Sequence, residues 1–528
     1  MEKRLIIAIV LSVLIVFLFQ NFIVKPNQPA TAPAIDKESV VTQPLEPASI
    51  ASQEIPAITE KDVVMNSDKF NIVLSNIGGA IKEVSLKDFI DPGSGKPLEL
   101  IKLTNPLEYI FSLQNSTDSN NQFAICDYSM RQEDGSIICT GSTKDFQIIK
   151  KYTLHKSSNI IELQLSITNI AKEPKTLSYN IITGGGIDEI RNEDKRFVEV
   201  MSKVNEKRIK YKHPKTGKIT NIGNVSWTAL KNRYFSLIAK PFMLTKGEFY
   251  YINKKGTLVN GIESRDILLQ PTHEINDKFI LYAGPGSISS LSAAGNGFIE
   301  TIDYGFFGSI SKLLIYTLRF FYRISHSWGI AIVLLAIFLN AILFPMTAKS
   351  FKSMQKMQEL HPQMEKLKAQ YKDNSQKLNQ EIVELYKKYN INPLSGCLPM
   401  LLQMPVFIAL YQALMKAIEL RGSKFLWIND LSSTESLPLP ISFPIIGNTI
   451  NILPLVMIGA MVLQQKISSK YMGSAVTSEQ QQQQKMMLVL MPVIFGFIFY
   501  NMPSGLVLYW VINTILTTME QIAILRNA

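Results

Sequence analysis

Cysteine, histidine and tryptophan are scarce: 528 residues hold three, five and four of them. The histidines are scattered without ligand-like spacing, which argues against a metal hydrolase. A phosphate loop is missing too. The one Gly-Lys pair that resembles such a loop, Gly95-Lys96, lacks the first glycine and runs into Pro97. No cofactor and no catalytic residue are therefore expected. Charged residues make up 18% against 46% hydrophobic, a balance too apolar for one soluble domain of this length. Cys397 has no Cys or His nearby to suggest metal or redox chemistry.

What the chain has instead is apolar sequence gathered into blocks. Leu5 to Val24 follows Lys3-Arg4 and is long for a signal peptide, so residues 1–24 read as an uncleaved anchor. Residues 25–60 form a linker whose prolines, six between Lys25 and Ile58, favour extended chain. From 61 to 300 the pattern becomes alternation. Ile161, Leu163, Leu165 and Ile167 alternate with Glu162, Gln164, Ser166 and Thr168, a strand with one wet face. Phe70–Leu74, Leu98–Leu103, Tyr109–Leu113, Phe146–Leu154 and Lys278–Tyr282 read similarly, with turns at Pro92-Gly93, Asp134-Gly135 and Gly184-Gly185-Gly186. A translocated β-sandwich is expected. In an oxidising compartment Cys126 and Cys139, on the flanks of an expected hairpin, are permitted a disulfide; two buried thiols are the alternative.

Residues 303–325 read as an amphipathic helix at the membrane interface. Lys312, Tyr316, Arg319 and Arg323 line one face, opposite Phe306, Phe307, Ile310, Leu314, Phe321 and Ile324. Five apolar stretches follow between Trp328 and Leu525. Two of them, Met486–Tyr500 and Leu506–Met519, are expected to be short, about 21 to 23 Å at 1.5 Å per residue, against a hydrocarbon core of roughly 30 Å. They flank the reversal Asn501-Met502-Pro503-Ser504-Gly505. The loop Lys349–Gly396 carries nine Lys and five acidic residues, and Lys466–Lys485 three Lys and one Glu, whereas Arg421–Asn448 holds two basic residues balanced by Asp430 and Glu435. This bias places both Lys-rich loops and both termini in the cytoplasm. Within 349–396, Leu378, Ile382, Leu385 and Tyr389, and Met354, Met357, His361 and Met364, give two helical seams across an Asp373-Asn374-Ser375 turn. Lys366, Lys368, Lys387 and Lys388 make that hairpin a candidate docking surface. The fold class is thus mixed, a polytopic helical membrane bundle of six transmembrane helices plus a β-sandwich domain.

Asn392-Pro393-Leu394-Ser395-Gly396-Cys397-Leu398-Pro399, followed by Gln403-Met404-Pro405-Val406-Phe407, resembles the start of the third membrane helix of the YidC family of membrane protein insertases. Pro503-Ser504-Gly505-Leu506-Val507-Leu508-Tyr509-Trp510 resembles that family's final hairpin, and Asp303-Tyr304-Gly305 and Phe344-Pro345-Met346-Thr347 lie in matching order. The anchor and large β-domain are similar in layout to the Gram-negative form, which makes that domain periplasmic and residues 326–528 an insertase core. The resemblance implies a hydrated groove in the inner leaflet with an Arg on the helix before the basic hairpin. Asn340 stands at that position, and no other Arg or Lys lies within Gly329–Thr347.

The candidate client groove comprises Asn340, Gln403, Gln412, Tyr509, Asn513 and Thr517. Polar groups inside a membrane face the bundle interior or water; helix-to-helix hydrogen bonding is their plainer role. The resemblance implies an insertase and chaperone of the bacterial inner membrane, working on nascent membrane proteins with or without the Sec translocon. The partners it implies are the ribosome, the signal recognition particle receptor and membrane lipids. A small-molecule or lipid transporter could use the same polar positions, and a receptor whose sandwich works through Asn224–Phe235 is a third reading.

Overall fold

The computed structural model describes residues 58–91, 94–115, 121–156, 158–187, 197–212, 218–371, 374–389, 398–443, 447–471 and 490–526. The expected anchor, most of the linker, Pro92-Gly93 and Cys397 lie outside them. The chain forms two compact units, Met1–Thr301 and Ile302–Ala528.

The first unit is built on antiparallel sheets. Nine strands run in the order Lys207–Lys212, Glu199–Val204, Val225–Lys231, Phe235–Pro241, Glu274–Pro285, Ile160–Asn169, Phe146–Leu154, Ser136–Ser142 and Tyr128–Glu133. Alternation decides the faces: Ile161, Leu163, Leu165 and Ile167 are all buried, while Gln164 is exposed. A five-stranded sheet (Ile219–Ile222, Thr245–Ile252, Leu258–Ser264, Tyr179–Gly185, Leu113–Asn115) packs against it. Buried polar bonds such as Asn260 Nδ2 to Thr228 Oγ1, 3.0 Å, cross between the two layers. A four-stranded sheet, Asp62–Asn66 to Pro97–Lys102, adds Phe89 edge-on to Phe235 at 5.2 Å.

Three expectations in this unit are corrected. Tyr109–Leu113 is no continuous strand: the chain passes through a 3-10 turn at Pro106–Glu108 and kinks at Phe111, φ +67°, and the strand begins only at Leu113. The apolar run is buried there, with an isolated bridge from Ile110 to Ile81 before the ladder begins at Leu113. Gly184 and Gly185 end a strand and only Gly186 turns, φ +65°, because a Cβ at Gly184 would stand 2.4 Å from Asn260 Oδ1. Val225–Lys231 is an almost wholly buried inner strand, so Asn224–Phe235 presents no receptor surface. Asp134-Gly135 turns the Tyr128–Glu133/Ser136–Ser142 hairpin as expected.

The cysteines on that hairpin are free thiols. Cys139 faces Met130 across the ladder, while Cys126 lies before the first strand begins, so the permitted disulfide is not formed. Burial raises the pKa of both thiols, that of Cys139 to about 11.

The second unit is helical: α1 Gly308–Ser325, α2 Trp328–Glu359, α3 His361–Gln370, α4 Ser375–Lys388, α5 Leu398–Lys416, α6 Ile452–Tyr471, α7 Leu490–Tyr500 and α8 Ser504–Arg526. Among the described residues two stretches are long and apolar enough to cross a membrane, Trp328–Ser353 and Ser504–Ile524, and Ile452–Ser468 and Leu490–Tyr500 are shorter. The helix expected to stop at Met519 therefore does not stop there. Helix α8 has 23 residues and spans about 34 Å, because the polar residues past Met519 stay helical though they end the apolar run. The basic hairpin also starts later than Lys349, since α2 continues to Glu359.

Helix α1 differs from the expected two-faced pattern. Ser311, Leu314, Ile315 and Leu318 are buried, and Arg319 pairs with Glu419 instead of facing outward. Leu313, Phe320 and Ile324 are exposed beside Lys312 and Arg323, a mixed face suited to a headgroup boundary. The chain turns from α1 into α2 at His326, φ +51°, where Tyr322 stacks on Trp328 at 4.0 Å.

One charge lies at the centre of the first unit. Lys150 is fully buried and donates to the carbonyls of Gly78 and Phe111, each at 2.7 Å, tying its strand to the Gly78 turn of the four-stranded sheet and to the Phe111 kink. Burial pushes its pKa down to about 7 from 10.5. The unfolded chain therefore binds a proton between those values that the folded domain does not, so stability rises with pH across that window. Urea unfolding of the fragment 58–301 should show a higher midpoint at about pH 9 than at about pH 7, and Lys150→Met should flatten the difference. An unchanged pH profile in the variant would assign the effect to other groups.

Candidate functional site

Helices α2 and α8 run side by side in a register set by polar contacts. Asn340 Nδ2 donates to Asn513 Oδ1 at 2.9 Å and also to Ala336 O of its own helix at 2.9 Å. One heptad further along both helices, Thr347 Oγ1 donates to Glu520 Oε2 at 3.3 Å. Equal spacing on both chains means the two helices run parallel and keep the same faces together. Gln403 of α5 donates from Nε2 to the Tyr509 hydroxyl at 2.8 Å. Tyr509, Asn513, Thr517 and Glu520 step by four, four and three residues, so a polar track runs down one side of α8.

The structure thus joins five of the six sequence-predicted groove residues to this track. Thr517 lies on it but donates to its own helix, to Asn513 O at 2.5 Å. Gln412 stands apart, towards the far end of α5. Its Oε1 has no hydrogen-bond partner among the described residues, and Gly305 (φ +70°) passes so close that a Cβ there would lie 2.7 Å from that oxygen.

The track lies where the apolar core ends. That core takes in Ala331 to Leu339 of α2, Leu506 to Val511 of α8 and Ala409 to Leu414 of α5, with Ala417, Leu453, Met457 and Phe499. Past Val511 every buried residue of α8 among the described side chains is polar: Thr514, Thr518 and Gln521. Past Leu339, α2 buries Thr347, Ser350 and Phe351, and α5 buries none of Gln403–Ile408. Asn340, Gln403, Asn513, Thr517 and Glu520 are all half-exposed. The bundle is close-packed at the end where α8 begins and loosely packed, with a polar lining, at the end that carries α3 and α4.

The packed end is clamped by groups that the sequence did not mark. The Glu435 carboxylate is buried and accepts from Trp427 Nε1 and from Leu453 N at the start of α6, the latter at 2.7 Å. Asn451 Nδ2 donates to Tyr500 O at 2.7 Å. Ser504 N donates to Ser433 O at 2.8 Å, and Gly505 N to Leu431 O at 2.9 Å, a carbonyl that would lie 2.9 Å from a Cβ at Gly505. Glu520 escaped notice because the apolar run ends at Met519. The signal for it was its place three residues beyond Thr517 on the same helical stripe.

Hairpin helices α3 and α4 meet through Tyr386 OH to Met364 Sδ at 3.5 Å and Gln363 Nε2 to Tyr389 OH at 3.2 Å. Asn374 caps α4 by accepting from Lys377 N at 3.0 Å. Lys366, Lys387 and Lys388 are exposed, and the Lys368 side chain lies outside the described residues.

Asn340 and Asn513 should couple weakly. A double-mutant cycle with Asn340→Val and Asn513→Val, read by unfolding in detergent, is expected to give about 0.6 kcal/mol. A coupling near zero would show that water, not the partner amide, satisfies each group.

Residues 320–528 match the family model described as 60Kd inner membrane protein, and residues 62–317 the model described as YidC periplasmic domain. A membrane protein insertase YidC from Pelobacter propionicus is 32% identical, with 99% of each chain covered, and one from Citrifermentans bemidjiense 31% identical over the same shares. Among solved structures, an active YidC insertase crystal structure with the first transmembrane domain resolved covers 98% of this chain and 99% of its own, at 18% identity and a TM-score of 0.37. These relatives lend no support to a transporter. The chain belongs to the YidC family of inner-membrane insertases, whose work is the insertion of membrane proteins and not the catalysis of a reaction.

Proposed function

We propose that the polar track on α8 is the floor of the groove along which this insertase passes its clients. The observation that supports it is the end of the apolar core at Leu339, Ala409 and Val511. Beyond those levels the helices offer amide, hydroxyl and carboxylate groups where a sealed bundle would offer Leu and Phe. Half-exposed polar groups at membrane depth are stable where they line a hydrated cavity. A client helix enters from the side of α3 and α4, exchanges its polar segment along the track and partitions its apolar face into lipid. Hydrophobic transfer supplies the driving force, so no nucleotide is needed.

In this reading the chain has six spans, Leu5–Val24 being the first. Both termini and the Lys-rich loops lie in the cytoplasm and the β-domain in the periplasm, in line with the charge bias of the loops. The exposed Lys366, Lys387 and Lys388, with Lys368, serve as a docking surface for the ribosome or the signal recognition particle receptor. The Sec translocon and lipid are partners at the bundle's flanks. Thinning of the bilayer rests on α6 and α7, because α8 is long enough to span it. Asn340 acts through hydrogen bonding and hydration in place of a fixed positive charge.

Two sets of variants test this. Asn340→Leu is expected to lower client insertion while Asn340→Arg is tolerated, since in a dry bundle that Arg would cost about 2.5 to 3.5 kcal/mol or more and deplete the protein. Loss of the Arg variant from the membrane, with the Leu variant fully active, would return Asn340 to a packing role. Replacing Lys366, Lys368, Lys387 and Lys388 by Gln should weaken ribosome co-sedimentation, most at low salt. Equal sedimentation would remove the docking role.

A further inference from the structure

The polar track carries one charge. Glu520 is the only Asp, Glu, Lys or Arg between Ser504 and Ile524. Its facing segment of α2, Gly329 to Thr347, has none either. The carboxylate is half-buried and accepts from Thr347 Oγ1 through one oxygen, at a long 3.3 Å. No Lys or Arg among the described residues comes within ion-pair distance of it, whereas Arg319 near the other end of the unit is neutralised by Glu419. Glu520 therefore sits at the mouth of the groove, on the side of α3 and α4, as a partly desolvated anion with unused acceptor capacity. An anion held there favours a cationic side chain and disfavours an anionic one, and partial burial strengthens both effects relative to bulk water.

The basic residues around it do not cancel that preference. Lys349 and Lys352 on α2, Lys466 on α6 and Arg526 on α8 are exposed, and their side chains reach into water. Glu520 instead continues the stripe of Tyr509, Asn513 and Thr517 at its α3 and α4 end, so a helix entering along that stripe meets its carboxylate first.

We propose that Glu520 receives the basic residue flanking an inserting helix, so that this groove sorts clients by the charge of that flank. The proposal rests on the track being the client groove. A client with Lys or Arg at the end of its apolar run is held at the mouth while its helix moves into lipid, whereas a Glu there is repelled. In this chain the groove's fixed charge is thus negative and lies at its entrance.

The test uses the full chain reconstituted in phosphatidylcholine vesicles at zero membrane potential, where neither lipid charge nor voltage biases the flank. Three versions of a single-span client carry Lys, Gln or Glu as the residue flanking the apolar run, and the yield of protease-protected client is measured. The unmodified chain should insert the Lys client about threefold to tenfold better than the Glu client. Glu520→Gln should bring that ratio close to one, Glu520→Lys should reverse it, and Thr347→Val, which removes the hydrogen bond but keeps the charge, should preserve it. If Glu520→Gln is lost from the membrane, raising salt on the unmodified chain decides, because the ratio should fall towards one at about 1 M. A ratio unaffected by Glu520→Gln or by salt, or already equal to one in the unmodified chain, would overturn the assignment. The Gln client reports the groove itself: failure of the unmodified chain to insert it would overturn the groove reading, whereas its insertion without charge preference would overturn only the role of Glu520.

Discussion

Parallel pairing of α2 and α8 through polar side chains one heptad apart is the constraint on which the membrane unit turns. In hydrocarbon a polar group must find a partner, and the partner's position then fixes helix register more firmly than interchangeable apolar contacts do. Asn340 with Asn513, and Thr347 with Glu520, set the two helices at equal heights. Once they are fixed, Tyr509 is brought to Gln403 of α5, and the apolar residues nearer the start of α8 close into a core. The other half of the bundle buries few apolar side chains among the described residues, Phe351 being one. The unit is thereby divided along one axis, with apolar packing at one end and a polar, half-exposed lining at the other.

The packed end needs its own closure, because the starts of α2, α6 and α8, the ends of α5 and α7 and a connector meet there. Glu435 caps α6 and holds Trp427, while Ser433 and Leu431 accept from the first amides of α8. Each bond satisfies a backbone group that would otherwise be orphaned at a helix terminus. Gly505 is required because the Leu431 carbonyl lies where a side chain would begin. The β-domain follows a related rule in water: its buried cation, Lys150, binds two carbonyls, and burial lowers its proton affinity.

Much of the fold was legible in the chain. Strand Ile160–Asn169 has its core face written in alternation, the hairpin at Asp134-Gly135 follows from turn chemistry, and α2 follows from a long apolar run. The misread elements share a cause. Tyr109–Leu113 looked like one strand because it is apolar, but the kink at Phe111 breaks it, leaving one bridge at Ile110 and a strand that starts only at Leu113. Gly184 looked like a turn and is a glycine because Asn260 crowds it. Arg319 looked exposed because helical spacing cannot announce a partner one hundred residues away. The disulfide looked permissible because spacing says nothing about which residue faces Cys139.

By itself the sequence determined the two-part layout, the class of each part, the family and the set of polar residues placed within the apolar runs. These depend on composition and local periodicity, which a linear reading contains. Only the tertiary structure decided which of those polar residues meet, that Gln412 stands apart from the others, and that the core ends at Leu339, Ala409 and Val511. It also brought Glu520 onto the track, a residue that the limit of the apolar run had hidden. The physical reason is that a polar group's role in a membrane is set by its partner, and partners more than a hundred residues apart are chosen by helix packing and not by the sequence around either one.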